Sequence, residues 1–217
     1  MTAIDRFIAL YSVGGPVIAI LVAMSVIALG IVIAKFGQFA FTRSHRLAAA
    51  RAAVSAFTSG DPSRASDLAR TAGTPVARLA GRAIDGLRDS TTDEARLREE
   101  IARLGNDQLR ALRGGLRPLE LIASLAPLLG LLGTVLGMID AFQALENSRS
   151  GVDPAVLSAG IWQALSTTAV GLAVAIPAVA AVSWIEARIQ RLGEEMDSLI
   201  TQIFTQRPAP AQNRSEP

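Results

Sequence analysis

Three long stretches without a charged residue divide this chain of 217 residues. They cover residues 7–34, 121–139 and 154–185. Because about 20 apolar residues cross the hydrocarbon core of a bilayer, each stretch is long enough to span it as a helix. The pattern therefore predicts three membrane-spanning helices, and the third is long enough to project beyond the bilayer.

Small residues recur at helical spacing in the second and third of these stretches. Gly130, Gly133 and Gly137 fall at i, i+3 and i+7, and Gly160 and Gly171 belong to a similar row in the third stretch. A face of small residues lets another helix backbone approach closely, which supports helix association in a membrane. We therefore predict that these five glycines lie where helices pack.

Polar side chains accompany the glycines. Thr134 lies in the second stretch, and Gln163, Thr167 and Thr168 lie in the third. One interpretation is a polar pathway walled by protein, with these four residues lining it. The other is ordinary packing, in which each threonine hydroxyl bonds to a carbonyl one turn earlier in its own helix. The pattern leaves both open.

The prolines and the acidic residues of the spans bear on helix shape and on proton transfer. Pro127 and Pro177 each leave one helical carbonyl without its donor, which predicts either a kink or a polar path. Asp140, near the outer end of the second span, is a candidate for an outer mouth. No residue near the middle of a span titrates, and threonine and glutamine cannot carry a proton near neutral pH. If protons cross, the carrier must come from a partner.

The region between the first two spans reads as short helices separated by turns. The predicted helices are 44–57, 65–72 and 76–87, and a fourth begins with Thr92 as its N-cap. Its apolar stripe leads towards the second span, interrupted but not necessarily ended by Gly114, Gly115 and Pro118. No useful strand-like alternation occurs, so the predicted fold is all-α.

The segments of the chain follow from these patterns. The order is an interfacial amphipathic helix (1–12), a first span (13–34), a cytoplasmic helical region (35–118), a second span (119–145), a short outer loop (146–155), a third span (156–185), a cytoplasmic C-terminal helix (186–204) and a disordered tail (205–217). The first span lacks a basic flank and a cleavage site, so we interpret it as an uncleaved anchor rather than a signal peptide.

Charge placement predicts the orientation. Residues 35–117 hold 15 Lys and Arg against 9 Asp and Glu, whereas Arg149 is the only basic residue in the loop after the second span. Basic residues beside spans favour the cytoplasm, so the N-terminus is predicted outside and the C-terminus inside. Signs alternate along the helices, which is typical of solvated faces and argues against nucleic-acid binding.

Composition excludes several functions. The chain is 50% hydrophobic and 18% charged, and it has no cysteine, which excludes disulfides and thiol catalysis. His45 is the only histidine and falls in a predicted cytoplasmic helix. No nucleophile–base pair, metal cluster or phosphate loop is present in the sequence. We therefore expect no enzyme activity, no cofactor and no metal.

The residues 126–135 with 137–139, and the run 163–178, closely resemble the MotA/TolQ/ExbB proton channel family. The turn at 60–62 is similar to the cytoplasmic region of that family. Three spans and a modest length point to its ExbB/TolQ-like branch. The resemblance implies a bacterial inner-membrane oligomer, a pentamer in the family, whose second and third spans wall a pore.

The resemblance also implies partners. Single-span proteins of the ExbD/TolR type would sit in the pore and carry a proton-binding aspartate, working with TonB-like or Tol-Pal components. Thr134 and Thr168 match pore threonines of the family, whereas Gln163 stands where the best-studied members have a glutamate. Two alternatives remain: an oligomeric membrane scaffold that conducts nothing, and a subunit of a solute transporter.

Overall fold

The computed structural model describes residues 3–40, 45–89, 91–146 and 154–206. The described residues form helices and turns without a strand, which confirms the predicted all-α fold. The helices are α1 (Ala3–Ala40), α2 (His45–Thr58), α3 (Pro62–Thr71), α4 (Pro75–Arg88), α5 (Glu94–Arg113), α6 (Arg117–Glu146) and α7 (Pro154–Thr205).

Three of these helices are long and apolar enough to cross a membrane. They are the part of α1 over Gly15–Phe39, the whole of α6 and the helix α7. At 1.5 Å per residue, the 52 residues of α7 extend about 78 Å, well beyond a hydrocarbon core of about 30 Å. The third span and the C-terminal helix, predicted as separate segments, form this one helix.

The helix α1 is interrupted near its start. Gly15 has φ 59° and ψ −151°, a conformation that only glycine adopts readily, and Pro16 follows inside the helix. The interruption lies near the start of the predicted first span, 13–34. Helical structure begins at Ala3, but the side chains of 3–14 lie outside the described residues, so the interfacial placement of 1–12 stays a prediction.

Some helix ends differ from the sequence-based expectation: α3 begins at Pro62, after the N-cap Asp61, rather than at residue 65. The N-cap of α5 is Asp93, whose Oδ1 accepts a hydrogen bond from the Ala95 amide at 3.0 Å, so the assignment to Thr92 was wrong. A carboxylate caps more strongly than a β-branched hydroxyl and suits the positive end of the helix dipole. At the other end, α5 stops at Arg113. Gly115, with φ +80°, then turns the chain before α6.

The chain forms two compact units, Met1–Lys35 with Gly115–Ile185, and Phe36–Gly114 with Glu186–Pro217. In the first, which we call the membrane unit, the described part of α1 packs against α6 and α7. Val17 and Leu21 of α1 form an apolar cluster with Ala126 of α6 and Ala175 of α7.

The second unit, which we call the helical domain, contains α2 to α5 and the last part of α7. Its polar contacts include Ser66, which donates to Asp85 at 2.7 Å, and Arg82, which pairs with Glu100. Its buried apolar core consists of Ala50, Val54, Phe57, Ala65, Val76, Ala77, Leu79, Ala80, Ala83, Ile84, Leu87, Leu97, Ile101, Met196, Leu199 and Ile203.

Candidate functional site

The backbones of α6 and α7 approach each other closely at two glycines. A Cβ atom placed on Gly171 would lie 2.7 Å from the Ala126 carbonyl oxygen and 3.0 Å from the Cα of Gly130. A Cβ on Gly130 would lie 3.1 Å from the Cα of Thr168. These neighbours are backbone atoms, which cannot rotate away. The absence of side chains at both positions therefore sets how close the two helices come.

The close contact, which we call the α6–α7 seam, continues towards the loop that joins the two helices. A Cβ on Gly133 would meet the side chain of Thr167, and one on Gly137 would meet Ala164. Gly160 faces Ala141 in the same way. The five glycines that share the predicted small-residue faces thus all lie in this one seam, within a single copy of the chain.

Two threonines of α7 join the seam through the Gly130 carbonyl. Thr168 Oγ1 donates to this oxygen at 3.0 Å. Thr167 Oγ1 lies 3.4 Å from the same oxygen and 2.7 Å from the Ala164 carbonyl. A hydroxyl has one proton, so the shorter bond to Ala164 takes most of it. Thr167 is 1% exposed and is closed off by α6.

Thr134 lies one turn beyond Gly130 on α6, beside the point that Thr168 reaches. Its Oγ1 donates to the Leu131 carbonyl at 2.6 Å, and its side chain is half-buried. Gln163 is also half-buried and precedes Thr167 by one turn of α7. Thr168 therefore bonds to Gly130 from α7, whereas Thr134 follows Gly130 by one turn on α6.

The remaining candidate residues lie outside the seam. Pro127 is half-buried inside α6, and Pro177 is exposed inside α7. Asp140 is exposed near the end of α6, directly before Ala141, which is buried against Gly160. The outer-mouth role of Asp140 stays a prediction.

Large apolar side chains cover the outward faces of both helices. Leu128 is 60% exposed and Leu165 62% exposed. The other large apolar side chains exposed on the described parts of α6 and α7 are Leu121, Leu125, Leu131, Leu132, Val135, Leu136, Ile139, Phe142, Val156, Ile161, Trp162, Leu172, Ile176 and Val179. A contiguous apolar surface of this kind requires lipid or protein to cover it.

Sequence reasoning missed one buried cation. Lys35, treated above as the first residue of the cytoplasmic region, is 7% exposed at the end of the α1 segment that belongs to the membrane unit. Its Cε lies 3.8 Å from the position of a Cβ on Gly115. The only signal in the sequence is that Lys35 is the first charge after the uncharged run.

Among the described residues, no group of three His, Cys, Asp or Glu side chains is arranged to hold a metal ion. The membrane unit contains a packed helix pair, in which Thr134 of α6 and Thr168 of α7 each carry a half-buried hydroxyl. Such hydroxyls can donate or accept hydrogen bonds, but they cannot titrate.

Comparison with known proteins shows which family this chain is similar to. The MotA/TolQ/ExbB proton channel family matches residues 71–198, more than half of the chain. The biopolymer transport protein exbB1 of Vibrio cholerae is 46% identical over 39% of this chain and 37% of its own length. The Tol-Pal system protein TolQ of Haemophilus influenzae is 34% identical over 46% of this chain and 43% of its own length. The chain therefore spans less than half the length of these two relatives.

A longer match comes from a Synechocystis protein named a putative biopolymer transport protein ExbB-like 3. It is 31% identical to this chain over 75% of the chain and 77% of its own length. The family match includes α6 and most of α7, where the glycine seam and the two threonines lie. The resemblance predicted from the sequence motifs is thereby confirmed, and the chain belongs to the MotA/TolQ/ExbB proton channel family, in its ExbB/TolQ-like branch.

Proposed function

We propose that this chain is the pore-wall subunit of an inner-membrane complex that uses the proton motive force to do work on the cell envelope. The observation that carries the proposal is the pair of half-buried hydroxyls in the two helices that carry the family motifs: Thr168 donates to the Gly130 carbonyl, and Thr134, one turn after Gly130, donates to the Leu131 carbonyl. Each is half-buried in a single copy and therefore accessible in part to another molecule.

The subunit works as a homo-oligomer, a pentamer as in the family, with α6 and α7 around a central pore. Support comes from the exposed leucine, isoleucine and valine side chains on both helices, which need a cover. Neighbouring copies cover part of this surface, and lipid covers the rest. The α6–α7 seam itself lies inside each subunit and keeps the pore wall rigid.

The proton carrier is an aspartate on a single-span partner of the ExbD/TolR type. Residues 121–139 and 154–185 contain no titratable side chain, so this chain cannot move a proton across the membrane by itself. Gln163, where well-studied relatives have glutamate, adds a neutral amide rather than a second carboxylate. The chain therefore supplies the wall, and the partner supplies the charge.

The hydrogen bonds of Thr134 and Thr168 bear on whether the wall binds the partner carboxyl better in its neutral or in its ionised form. Thr134 and Thr168 already donate their protons to backbone carbonyls, so their oxygens are free only as acceptors. A protonated carboxyl can donate to them directly. A carboxylate needs the hydroxyl proton, and Thr168 must then release Gly130, which costs about 1 kcal/mol. The wall thus favours the neutral carrier, whose passage costs far less in a membrane.

The predicted topology places the N-terminus in the periplasm and the C-terminus in the cytoplasm. The partner would transmit the work to the envelope, either for TonB-dependent uptake or for Tol-Pal-type envelope maintenance.

Thr167 differs from Thr134 and Thr168, because its burial in the seam gives it a packing role in each subunit. This tight seam is the feature that a non-conducting scaffold, the alternative function, would also need.

The test is the double substitution Thr134→Val and Thr168→Val, which keeps the side-chain shape and removes both hydroxyls. Losing a hydrogen bond to the neutral carboxyl costs about 0.5–1.5 kcal/mol at each of the two positions, so proton transfer should slow about 5- to 150-fold in the double variant. The measurement is proton flux through the complex with its partner in liposomes, with a sodium gradient run in parallel. Thr134→Ser with Thr168→Ser keeps the hydroxyls and should restore most of the flux.

Thr58→Val is the matched control, because this half-buried threonine of α2 also donates to a carbonyl, that of Ser55. It should leave the flux unchanged. The mass of the intact complex must be the same for all variants. Wild-type flux in a fully assembled Thr134→Val/Thr168→Val complex would remove the pore assignment, and both residues would then be packing residues of a scaffold or of another kind of channel.

A further inference from the structure

A groove of about 320 Å³ lies between α5 and the last part of α7 in the helical domain. Its floor is apolar, because Ile101 and Met196 are buried there and Gly105 adds no side chain. Its walls include the half-buried side chains of Ile200 and Phe204. A segment of chain bound in the groove would therefore bury further apolar surface.

The groove has two defined ends. At one end the guanidinium of Arg98 lies over the ring of Phe204, 4.8 Å from its centroid. Towards the other end Leu109 lies against Gly193, with its Cδ1 3.1 Å from the position of a Cβ there. The helix α5 therefore runs antiparallel to α7 along the groove. The eleven residue steps from 98 to 109 give it a length of about 16.5 Å.

The two rims of the groove carry opposite charges. On the α5 side Arg103 and Arg110 share the single carboxylate of Asp107, so positive charge is in excess. On the α7 side Asp197 lines the groove, and Glu194 lies one turn before it. Within the described part of the chain no cation pairs with Asp197. A segment that matches both rims should therefore present a basic side chain to α7 and an acidic one to α5.

We propose that residues 207–217 of the same chain dock in this groove and run antiparallel to α7. The helix α7 ends at Thr205, which itself lines the groove, so these residues start at its Arg98 end. Pro208 and Pro210 disfavour further helix. If the first four residues reverse the chain, the other seven reach about 22 Å in polyproline geometry, which exceeds the length of the groove.

The charges of this segment match both rims in that register. Arg214 comes about 12 Å after the reversal, level with Asp197, which lies about 12 Å before the end of α7. Glu216 comes about 19 Å after the reversal, level with Arg110 on α5. Because polyproline has three residues per turn, side chains two residues apart point about 120° away from each other. Arg214 can therefore face α7 while Glu216 faces α5.

Two polar side chains on the walls are placed to hold the backbone of the segment. Asn106 of α5 and Thr201 of α7 both line the groove and are exposed. Among the described residues, neither side chain makes a hydrogen bond. A polyproline chain has no internal hydrogen bonds, so its carbonyls are free to accept from the amide and the hydroxyl. The groove thus offers apolar contact, paired charges and backbone donors to one extended segment.

The first test measures whether the segment covers the groove. Ala102→Cys places a thiol on an exposed residue of the groove, in a chain without a cysteine of its own. A short tether presents the segment at about 1 mM, so a segment with a Kd of about 0.2 mM fills the groove about five-sixths of the time. In the full chain in mild detergent, deletion of 207–217 should therefore speed maleimide labelling about sixfold.

The matched control is Ala111→Cys, on an exposed alanine of α5 that does not line the groove. Its labelling rate should be the same with and without residues 207–217. Helix content is measured for every variant, so that a change in folding is recognised. Equal labelling of Ala102→Cys with and without the segment would overturn the proposal. A groove that stays protected after the deletion would also overturn it, because a second copy or a partner would then be the occupant.

Charge reversal tests the register. Arg214→Glu and Asp197→Arg each replace an attraction by a repulsion, which should weaken docking about fivefold and speed labelling at position 102 about threefold. The two reversals together restore an opposite pair and should return the rate to within about 1.5-fold of the unreversed chain. Asp67→Arg reverses an exposed carboxylate of α3 and should change nothing. No recovery in the double variant would refute this register.

A cross-link identifies the chain that supplies the segment. A disulfide requires Cα atoms within about 7 Å, so Ser215→Cys with Asn106→Cys should oxidise at least about fivefold faster than Ser215→Cys with Ala111→Cys. The product should be a single chain in denaturing electrophoresis without reductant. Equal rates for the two pairs would overturn the docking, and a product that always joins two chains would assign the segment to a neighbouring copy instead. The proposal stands or falls independently of the proposed function.

Discussion

The glycine at position 171 offers the sharpest test of how α6 and α7 pack against each other. Gly171→Ala adds one methyl group where the nearest atoms are the Ala126 carbonyl oxygen, at 2.7 Å, and the Cα of Gly130, at 3.0 Å. Ordinary van der Waals contact for such an atom begins near 3.4 Å. Because both neighbours are backbone, no side chain can turn aside, and α6 and α7 must separate by about 0.5 Å.

The cost can be estimated from this separation. A gap of 0.5 Å forfeits about a quarter of the dispersion energy of each contact along the seam, and overpacking of this kind costs roughly 1–3 kcal/mol. The Thr168 hydroxyl bond to Gly130, 3.0 Å long, is stretched by the same movement. Against this stands a gain of up to about 1 kcal/mol, because alanine favours a helix more than glycine does. A net loss of about 1–2 kcal/mol is therefore expected.

Gly30→Ala is the matched control. Gly30 also lies inside a spanning helix, but a Cβ there meets nothing within 4 Å, so only the helix-forming gain applies. The assay is the denaturant midpoint of the purified protein in mild detergent, followed by helix circular dichroism, together with proton flux. Gly171→Ala should lower the midpoint and Gly30→Ala should leave it equal or raise it. Equal midpoints for the two variants would show that the helices do not meet at Gly171.

Two further predictions concern orientation and the helical domain. With single cysteines at Ser55, Ser148 and Ser215, an impermeant reagent applied to spheroplasts should label only position 148, because the basic region is predicted inside; strong labelling at 55 would refute the orientation. In thermal denaturation, Asp93→Ala should destabilise the protein by about 1 kcal/mol through loss of the α5 cap, whereas Thr92→Ala should cost under about half of that. Equal effects would argue against the cap at Asp93.

Glycine spacing predicted that helices pack at the five glycines of the seam, but it did not predict that α6 and α7 of one copy pack against each other there. Glycine spacing of three and four residues defines one face of a helix without any tertiary information. Because small residues gain most when another backbone lies against them, a face with Gly130 and Gly133 already predicts close packing. Three uncharged runs likewise predict three spans from length alone.

The partners of each residue could not be predicted in the same way. Which carbonyl Thr168 reaches depends on the register of α7 against α6, and a shift of one turn would preserve the small-residue faces. The sequence also could not separate buried Thr167 from its half-buried neighbour Thr168, since one residue step rotates the side chain by about 100° around the helix. At α5, both Thr92 and Asp93 are acceptable caps, and the backbone conformation decides between them.

The wall and the proton carrier of the proposed complex need opposite properties, which is the physical reason for assigning them to different chains. A seam as tight as that between Gly130 and Gly171 leaves no room for a charged side chain to move or to be hydrated. A proton carrier must exchange with water on both sides of the membrane, and its ionised state is costly inside the bilayer. A subunit whose spans hold only hydroxyl and amide groups can stay rigid and contribute hydrogen bonds, while the partner carboxyl changes charge and moves. In the proposed complex, the neutral amide of Gln163 adds no second charge to α7 at the position where the best-studied members of the family have a glutamate.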